Sequence, residues 1–168
     1  MKRHVAILAV FLAATTLALA SLMIIWSTNG SGVARNAAGR MAHFRVEAAK
    51  RVHGTLAPQV AGTVVLEFPS TTNLGGERLS MHVHEYTQEG NTSRMAGPAV
   101  WRRPTPKGWE EINGIAHATF TSNRHPDEHS PHPDTLEVHF SSATSNHTFS
   151  FGGAVIRGDV TVAKTESY

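Results

Sequence analysis

From about His43 onward, apolar and polar side chains alternate over short stretches that are separated by clusters of Gly, Pro, Asn and Ser. Alternation with a period of two is typical of strands with one buried face, and no window offers the 3.6-residue stripe of an amphipathic helix. The pattern therefore predicts an all-β domain. Short strands with long polar connections favour a Greek-key sandwich or a flattened barrel. The expected strands cover residues 44–52, 60–68, 79–86, 115–121, 135–140 and 149–163.

The first 26 residues differ in composition from the rest of the chain. Lys2 and Arg3 precede an uncharged run over residues 5–26, which as a helix is long enough to cross a bilayer. The run predicts a signal peptide or an uncleaved transmembrane anchor whose basic end stays in the cytoplasm. The domain is then exported, either secreted or anchored facing the periplasm or the extracellular space. Residues 27–42, rich in Gly, Ser, Asn and Ala, read as a flexible tether to a domain over residues 43–168.

Charge and cysteine content each exclude a class of function. The formal net charge is only +2, from 15 basic and 13 acidic residues without a basic stripe, so nucleic acid is a poor candidate partner. The chain has no cysteine, which excludes disulfides, thiolate metal sites and cysteine nucleophiles. Histidine is then the main ligand for soft metal ions, with methionine as the other.

Two histidines one residue apart suggest a metal site. On a strand, Val83 points to one face while His82 and His84 project from the other, and paired imidazoles suit copper and zinc. His139 also points outward, because the apolar face of its strand is formed by Leu136, Val138 and Phe140. If the two strands are neighbours, the three imidazoles converge on the outside of the barrel, with residues 87–109 as a covering loop.

These motifs resemble, in order, those of the copper/zinc superoxide dismutases. The segment His82-Val83-His84-Glu85-Tyr86 is similar to the family's first copper motif, and Ala96-Gly97-Pro98 follows in register. Residues 135–139 and 151–158 look like the family's later histidine strand and its closing strand. The resemblance covers roughly residues 43–163. It implies a superoxide dismutase-like Greek-key barrel, with His82, His84 and His139 as three of the family's four copper ligands.

The departures from the family pattern are also specific. Ala99 stands where the histidine that bridges copper and zinc would lie, and the loop as far as Gly108 lacks the zinc ligands. Ser93 and Gly153 stand at or near the disulfide cysteines. The resemblance thus implies a copper site without zinc. Any dismutation of superoxide to dioxygen and hydrogen peroxide would depend on copper alone and would be reduced or lost. The resemblance therefore leaves open whether the chain is an enzyme. It also leaves open whether the chain forms a homodimer.

Two other readings remain. One is a non-catalytic exported protein that binds or hands over copper, since the spacing of His84, Met95 and His117 resembles a periplasmic copper-chaperone family. The other is a degenerate structural domain of the dismutase-like fold that binds no metal. Residues 125–134 hold three histidines and three acidic residues, and they read either as a metal-collecting loop or as a polar connection.

Overall fold

The computed structural model describes residues 22–70, 76–123 and 132–167. These ranges contain strands and no helix, so the all-β prediction is confirmed. Nothing helical in the described ranges has the length and apolar character needed to cross a bilayer. The strands are β1 Met23–Arg35, β2 Met41–His53, β3 Gln59–Glu67, β4 Arg78–His82, β5 Glu85–Glu89, β6 Thr92–Thr105, β7 Gly108–Thr121, β8 Thr135–Ser142 and β9 Thr148–Ser167.

All pairings in the described sheet are antiparallel, and they close it into a barrel. The strand order is β4-β3-β2-β1-β9-β8-β7-β6-β5, and β4 also pairs with β6. β4 and β5 lie end to end along β6, with Met81 opposite Ala99 and Glu85 opposite Ala96, so together they occupy one strand position. The result is an eight-stranded barrel in which every strand lies beside its predecessor and its successor along the chain.

The Greek-key topology expected from the sequence is therefore wrong, because the described strands follow an up-and-down order. The physical reason is the length of the connections. A connection of two to five residues spans only to an adjacent antiparallel strand, so it cannot make the long return of a Greek key. Connections of this length cover residues 36–40, 54–58, 90–91, 106–107 and 143–147. The two longer connections, before β4 and before β8, also join strands that pair with each other.

β1 occupies residues that were expected to end an apolar helix and begin a flexible tether. The tether prediction is wrong, because β1 pairs with β2 and with β9 and so closes the barrel. Its small residues allow close strand contact: a Cβ on Gly32 would lie 2.0 Å from the backbone oxygen of Arg157. The barrel thus includes Met23–Arg35, which precede the expected domain start at residue 43. Residues 1–21, which hold most of the predicted signal or anchor helix, lie outside the described residues.

The expected covering loop over residues 87–109 is also absent, because these residues form the end of β5, the whole of β6 and the start of β7. Gly97 lets β6 continue past the junction of β4 and β5, since a Cβ there would lie 1.8 Å from the His82 backbone oxygen. Pro98 lies on the exposed face of β6. The glycine and prolines that suggested a loop are accommodated within a strand and its hairpins.

Aromatic side chains fill one end of the barrel interior. Phe68 contacts Phe149 and Phe151 edge to face, with ring centroids 5.4 Å and 5.3 Å apart, and the guanidinium of Arg40 lies 4.0 Å from the Phe68 centroid. Edge-to-face pairs of this kind add to the stabilisation from area burial. The opposite end, here called the polar end, carries different inward residues: Trp26, Thr28, Lys50, Tyr86, Gln88, Ser93 and Lys164.

Candidate functional site

The predicted chelating pair lies at the junction of β4 and β5. The Val83 N–H donates to the Gly62 backbone oxygen at 2.9 Å, and the His84 N–H donates to that of Ala96 at 2.9 Å. Val83 is buried, whereas His82 and His84 are exposed. Both imidazoles therefore lie outside the barrel on a well-bonded backbone, as the alternation predicted.

His139 is exposed on β8, but the structure does not bring it to the other two histidines. Glu85, next to His84, lies opposite Ala96 on β6, followed by His117 on β7 and then His139 on β8. With neighbouring strands 4.7–4.9 Å apart, three steps separate His139 from β5 by about 14 Å. The predicted convergence of His82, His84 and His139 therefore does not occur. Residues 22–70, 76–123 and 132–167 hold no group of three or more His, Cys, Asp or Glu arranged for a metal ion.

His117 is an exposed neighbour of His139, and the sequence pattern did not connect the two residues. The two residues lie directly opposite each other on β7 and β8. Directly opposed residues have Cβ atoms about 4.5–5.5 Å apart, so their side chains can contact one ligand. Alternation predicted that His117 points outward, but only the register between the strands reveals its partner.

A hydrogen-bonded chain fixes the imidazole of His139. Its Nε2 lies 2.8 Å from Glu137 Oε1, and its Nδ1 lies 3.0 Å from Ser150 Oγ. An Nε2–H that donates to the carboxylate leaves Nδ1 as an acceptor for the hydroxyl, which sets the tautomer of a neutral ring. The side chains of His139 and Glu137 are 55% and 59% exposed, so the chain is open to solvent. We call the exposed residues His117, Glu137 and His139 the histidine face.

The alternative copper-chaperone set is divided between the two sides of the barrel wall. Met95 is buried with 2% of its surface exposed, whereas His84 and His117 are outside. Ala99, at the expected bridging position, is also buried. Because these two positions face the interior, neither side chain is placed to share an ion with the outer histidines.

Ser93, expected near a disulfide position, belongs instead to a buried hydroxyl cluster at the polar end. The Thr28 hydroxyl donates to Ser93 Oγ at 2.7 Å, and its oxygen lies 2.8 Å from the Tyr86 hydroxyl oxygen. The Tyr86 hydroxyl donates to Gln88 Oε1 at 3.1 Å. Burial raises the pKa of Tyr86, and the hydrogen bonds with Thr28 and Ser93 partly offset that rise.

The histidine-rich tract is described only at its end, since residues 125–131 lie outside the described residues. Asp134 is fully buried and accepts hydrogen bonds from the backbone N–H groups of Asn123 at 2.8 Å and Val160 at 2.9 Å. It therefore has a structural role between β7 and β9, whichever role the preceding histidines have.

Comparison with known proteins gives no relative: no protein-family model, curated protein or solved structure matches the chain.

Proposed function

We propose that this chain is an exported, non-catalytic protein that binds copper ions on the histidine face. The observation that carries the proposal is the register of β7 and β8, which sets His117 opposite His139. Two imidazoles with a carboxylate nearby form a nitrogen and oxygen donor set, and among divalent ions such sets bind Cu²⁺ most strongly. Export is supported by Lys2 and Arg3 followed by the apolar run over residues 5–26.

Glu137 prepares His139 for this role. A carboxylate that accepts the Nε2–H of a histidine orients its ring and raises the basicity of the other nitrogen. Here that other nitrogen, Nδ1, is held by the Ser150 hydroxyl. Because Ser150 lies on β9 and His117 lies on β7, on the other side of β8, an ion shared by the two histidines requires the His139 ring to turn away from the Ser150 hydroxyl.

His82 and His84 form a second, independent pair at the junction of β4 and β5. They share an exposed stretch of backbone but have no hydrogen-bonded carboxylate comparable to Glu137 among the described contacts. We therefore expect weaker binding there. Superoxide turnover is not expected, because the ligand set that the dismutase resemblance implied is split between the two pairs.

Copper titration of the purified full-length chain against a competing chelator tests the proposal. We expect His117→Gln and His139→Gln each to weaken the tighter Cu²⁺ site by at least about tenfold, because loss of a ligand costs no less than loss of a second-shell partner. The matched control is His53→Gln, an exposed histidine at the end of β2. Unchanged affinity in the His117→Gln, His139→Gln double variant would contradict the proposal, as would an equal loss in the control.

Two further variants test the two histidine pairs separately and test the hydrogen bond from Ser150 to His139. His82→Gln with His84→Gln should remove only the weaker copper equivalent from the titration. Ser150→Ala should leave the tighter site as strong as in the parent chain or stronger, because the hydroxyl competes with the ion for Nδ1. A weaker tight site in Ser150→Ala would show that the hydroxyl supports the ion instead.

A further inference from the structure

Two lysines continue inward-facing apolar series at the polar end. On β2 the buried Phe44, Val46 and Ala48 are followed at the same spacing by Lys50, and on β9 Val160 and Val162 are followed by Lys164. The Lys50 side chain is partly buried there, whereas that of Lys164 is 46% exposed at the mouth of the barrel. Two ammonium groups at one mouth are a candidate binding site for an anion.

Both lysines contact one indole ring. Trp26 on β1 lies opposite Lys50 in register on one side and opposite Lys164 on the other. The two ammonium nitrogens lie 5.6 Å and 5.7 Å from the centroid of the ring. Each contact is a favourable cation–π interaction, but the two like charges repel each other.

The charges at this end do not balance. Lys164 forms an ion pair with Glu166, whereas Lys50 has no carboxylate partner among the residues that the structure describes. These inward positions therefore carry a surplus positive charge beside a partly buried aromatic ring. An anion bound between the ammonium groups would relieve their repulsion.

The surroundings define the shape of that anion. Eight-stranded barrels have interiors that side chains can just fill or that hold one small ligand. Aromatic rings fill the opposite end, and near the polar end the buried Tyr86 reaches across the interior to Thr28, so the ligand is placed at the mouth beside Trp26 rather than deep in the barrel. Trp26, Val60 and Val162 pack against the core but are only partly buried, which leaves an apolar wall accessible from outside.

From these observations we propose that the polar end binds a small aromatic carboxylate. Its ring lies against Trp26, and its carboxylate lies between Lys50 and Lys164. The inference is independent of the proposed copper site, which uses outward residues of other strands. Planar stacking favours an aromatic acid over a branched aliphatic one, because the partly buried indole offers a flat face.

The test compares two probes of the same shape and different charge on the purified full-length chain. We expect 2-naphthoate to bind at least about tenfold more tightly than 2-naphthalenemethanol, as a charge-assisted hydrogen bond to an ammonium group would give. Binding is measured by calorimetry and by quenching of tryptophan fluorescence. Absence of 2-naphthoate binding, or equal affinities for the acid and the alcohol, would overturn the proposal.

Variants locate the site. Lys50→Met and Lys164→Met keep the apolar stem of the side chain. Each should weaken the binding of 2-naphthoate about tenfold without changing the affinity for 2-naphthalenemethanol. Lys50→Arg keeps the charge and should retain binding. Lys107→Met, in the exposed turn between β6 and β7, is the matched control and should bind like the parent chain. Full affinity in the Lys50→Met, Lys164→Met double variant, with an unchanged circular dichroism melt, would overturn the assignment of the site.

Discussion

Tyr86 sets a phenol hydroxyl among buried side chains, where ionisation is disfavoured. Burial raises the pKa of Tyr86, and hydrogen bonds with Thr28 and Ser93 lower it by less. The folded barrel thus retains the phenol proton at a pH where the unfolded chain has already lost it. Stability from this group is fully present below the ordinary tyrosine pKa of about 10 and is lost as the pH rises through the folded value.

Replacement of Tyr86 by Phe should remove this dependence. The free energy of unfolding of the parent chain is expected to fall as the pH rises above about 10, and that of Tyr86→Phe should fall less over the same interval. Urea unfolding followed by circular dichroism at several pH values from 8 to 11 measures both slopes. Identical slopes would show that other groups cause the loss of stability at alkaline pH.

At the residue scale, the sequence predicted the direction in which each histidine points better than the distances between the histidines. The outward placement of His82, His84 and His139 follows from strand periodicity, which is a local property of the chain. Their separation follows from which strands lie between them, and the pairing of His117 with His139 follows from register. Both depend on contacts between residues far apart in sequence, and a single strand pattern contains no information about them.

Among the elements, the end of β7, the start of β8 and the middle of β9 are held together by Asp134. Its carboxylate accepts N–H groups from Asn123 and Val160, and its backbone oxygen accepts the N–H of Val155 at 2.8 Å. Replacement by alanine leaves the buried Val160 N–H and the part-buried Asn123 N–H without these acceptors. A buried donor without an acceptor costs about 1–3 kcal/mol, and a part-buried one costs less.

We therefore expect Asp134→Ala to lower the free energy of unfolding by about 3 kcal/mol. Asp134→Asn, which keeps one acceptor oxygen, should lose less. Urea unfolding at neutral pH compares both variants with the parent chain. A loss below about 1 kcal/mol in Asp134→Ala would mean that water satisfies the two donors.

β1 shows why composition can mislead about a whole element. Its Gly and Ser residues are common in linkers, but Gly30 and Gly32 contact the backbone of β9, where a Cβ would lie 2.5 Å and 2.0 Å from the nearest atom. Small residues are therefore found both in close strand contacts and in flexible tethers, and composition alone does not distinguish the two. The expected strands at residues 44–52, 60–68 and 135–140 overlap β2, β3 and β8. Their apolar and polar residues alternate strongly, and each segment contains at most one glycine.

The closed barrel as a whole depends on β1, which pairs with β2 on one side and β9 on the other. Its removal would expose the paired edges of both neighbours, and open edges promote association between chains. We expect a chain that begins at Leu22 to unfold cooperatively as a monomer. A chain that begins at Met41 should aggregate or lack a cooperative transition.

Size-exclusion chromatography and thermal melts followed by circular dichroism distinguish the two truncations. If the shorter chain were monomeric and melted like the longer one, the domain would begin near residue 43 after all. The fold class was thus readable from the sequence, whereas closure was not, since it depends on one strand whose composition resembles a linker.

In β1 and β9, Met23 lies opposite Ser167, so the first and last described strands end side by side. Tension applied to these two ends would pull the strands apart from their shared edge. The hydrogen bonds of that ladder would then break one after another, as in a zipper, rather than bear the load together. The barrel is therefore expected to yield at low force along the seam that closes it, although heat or denaturant must disrupt the whole sheet.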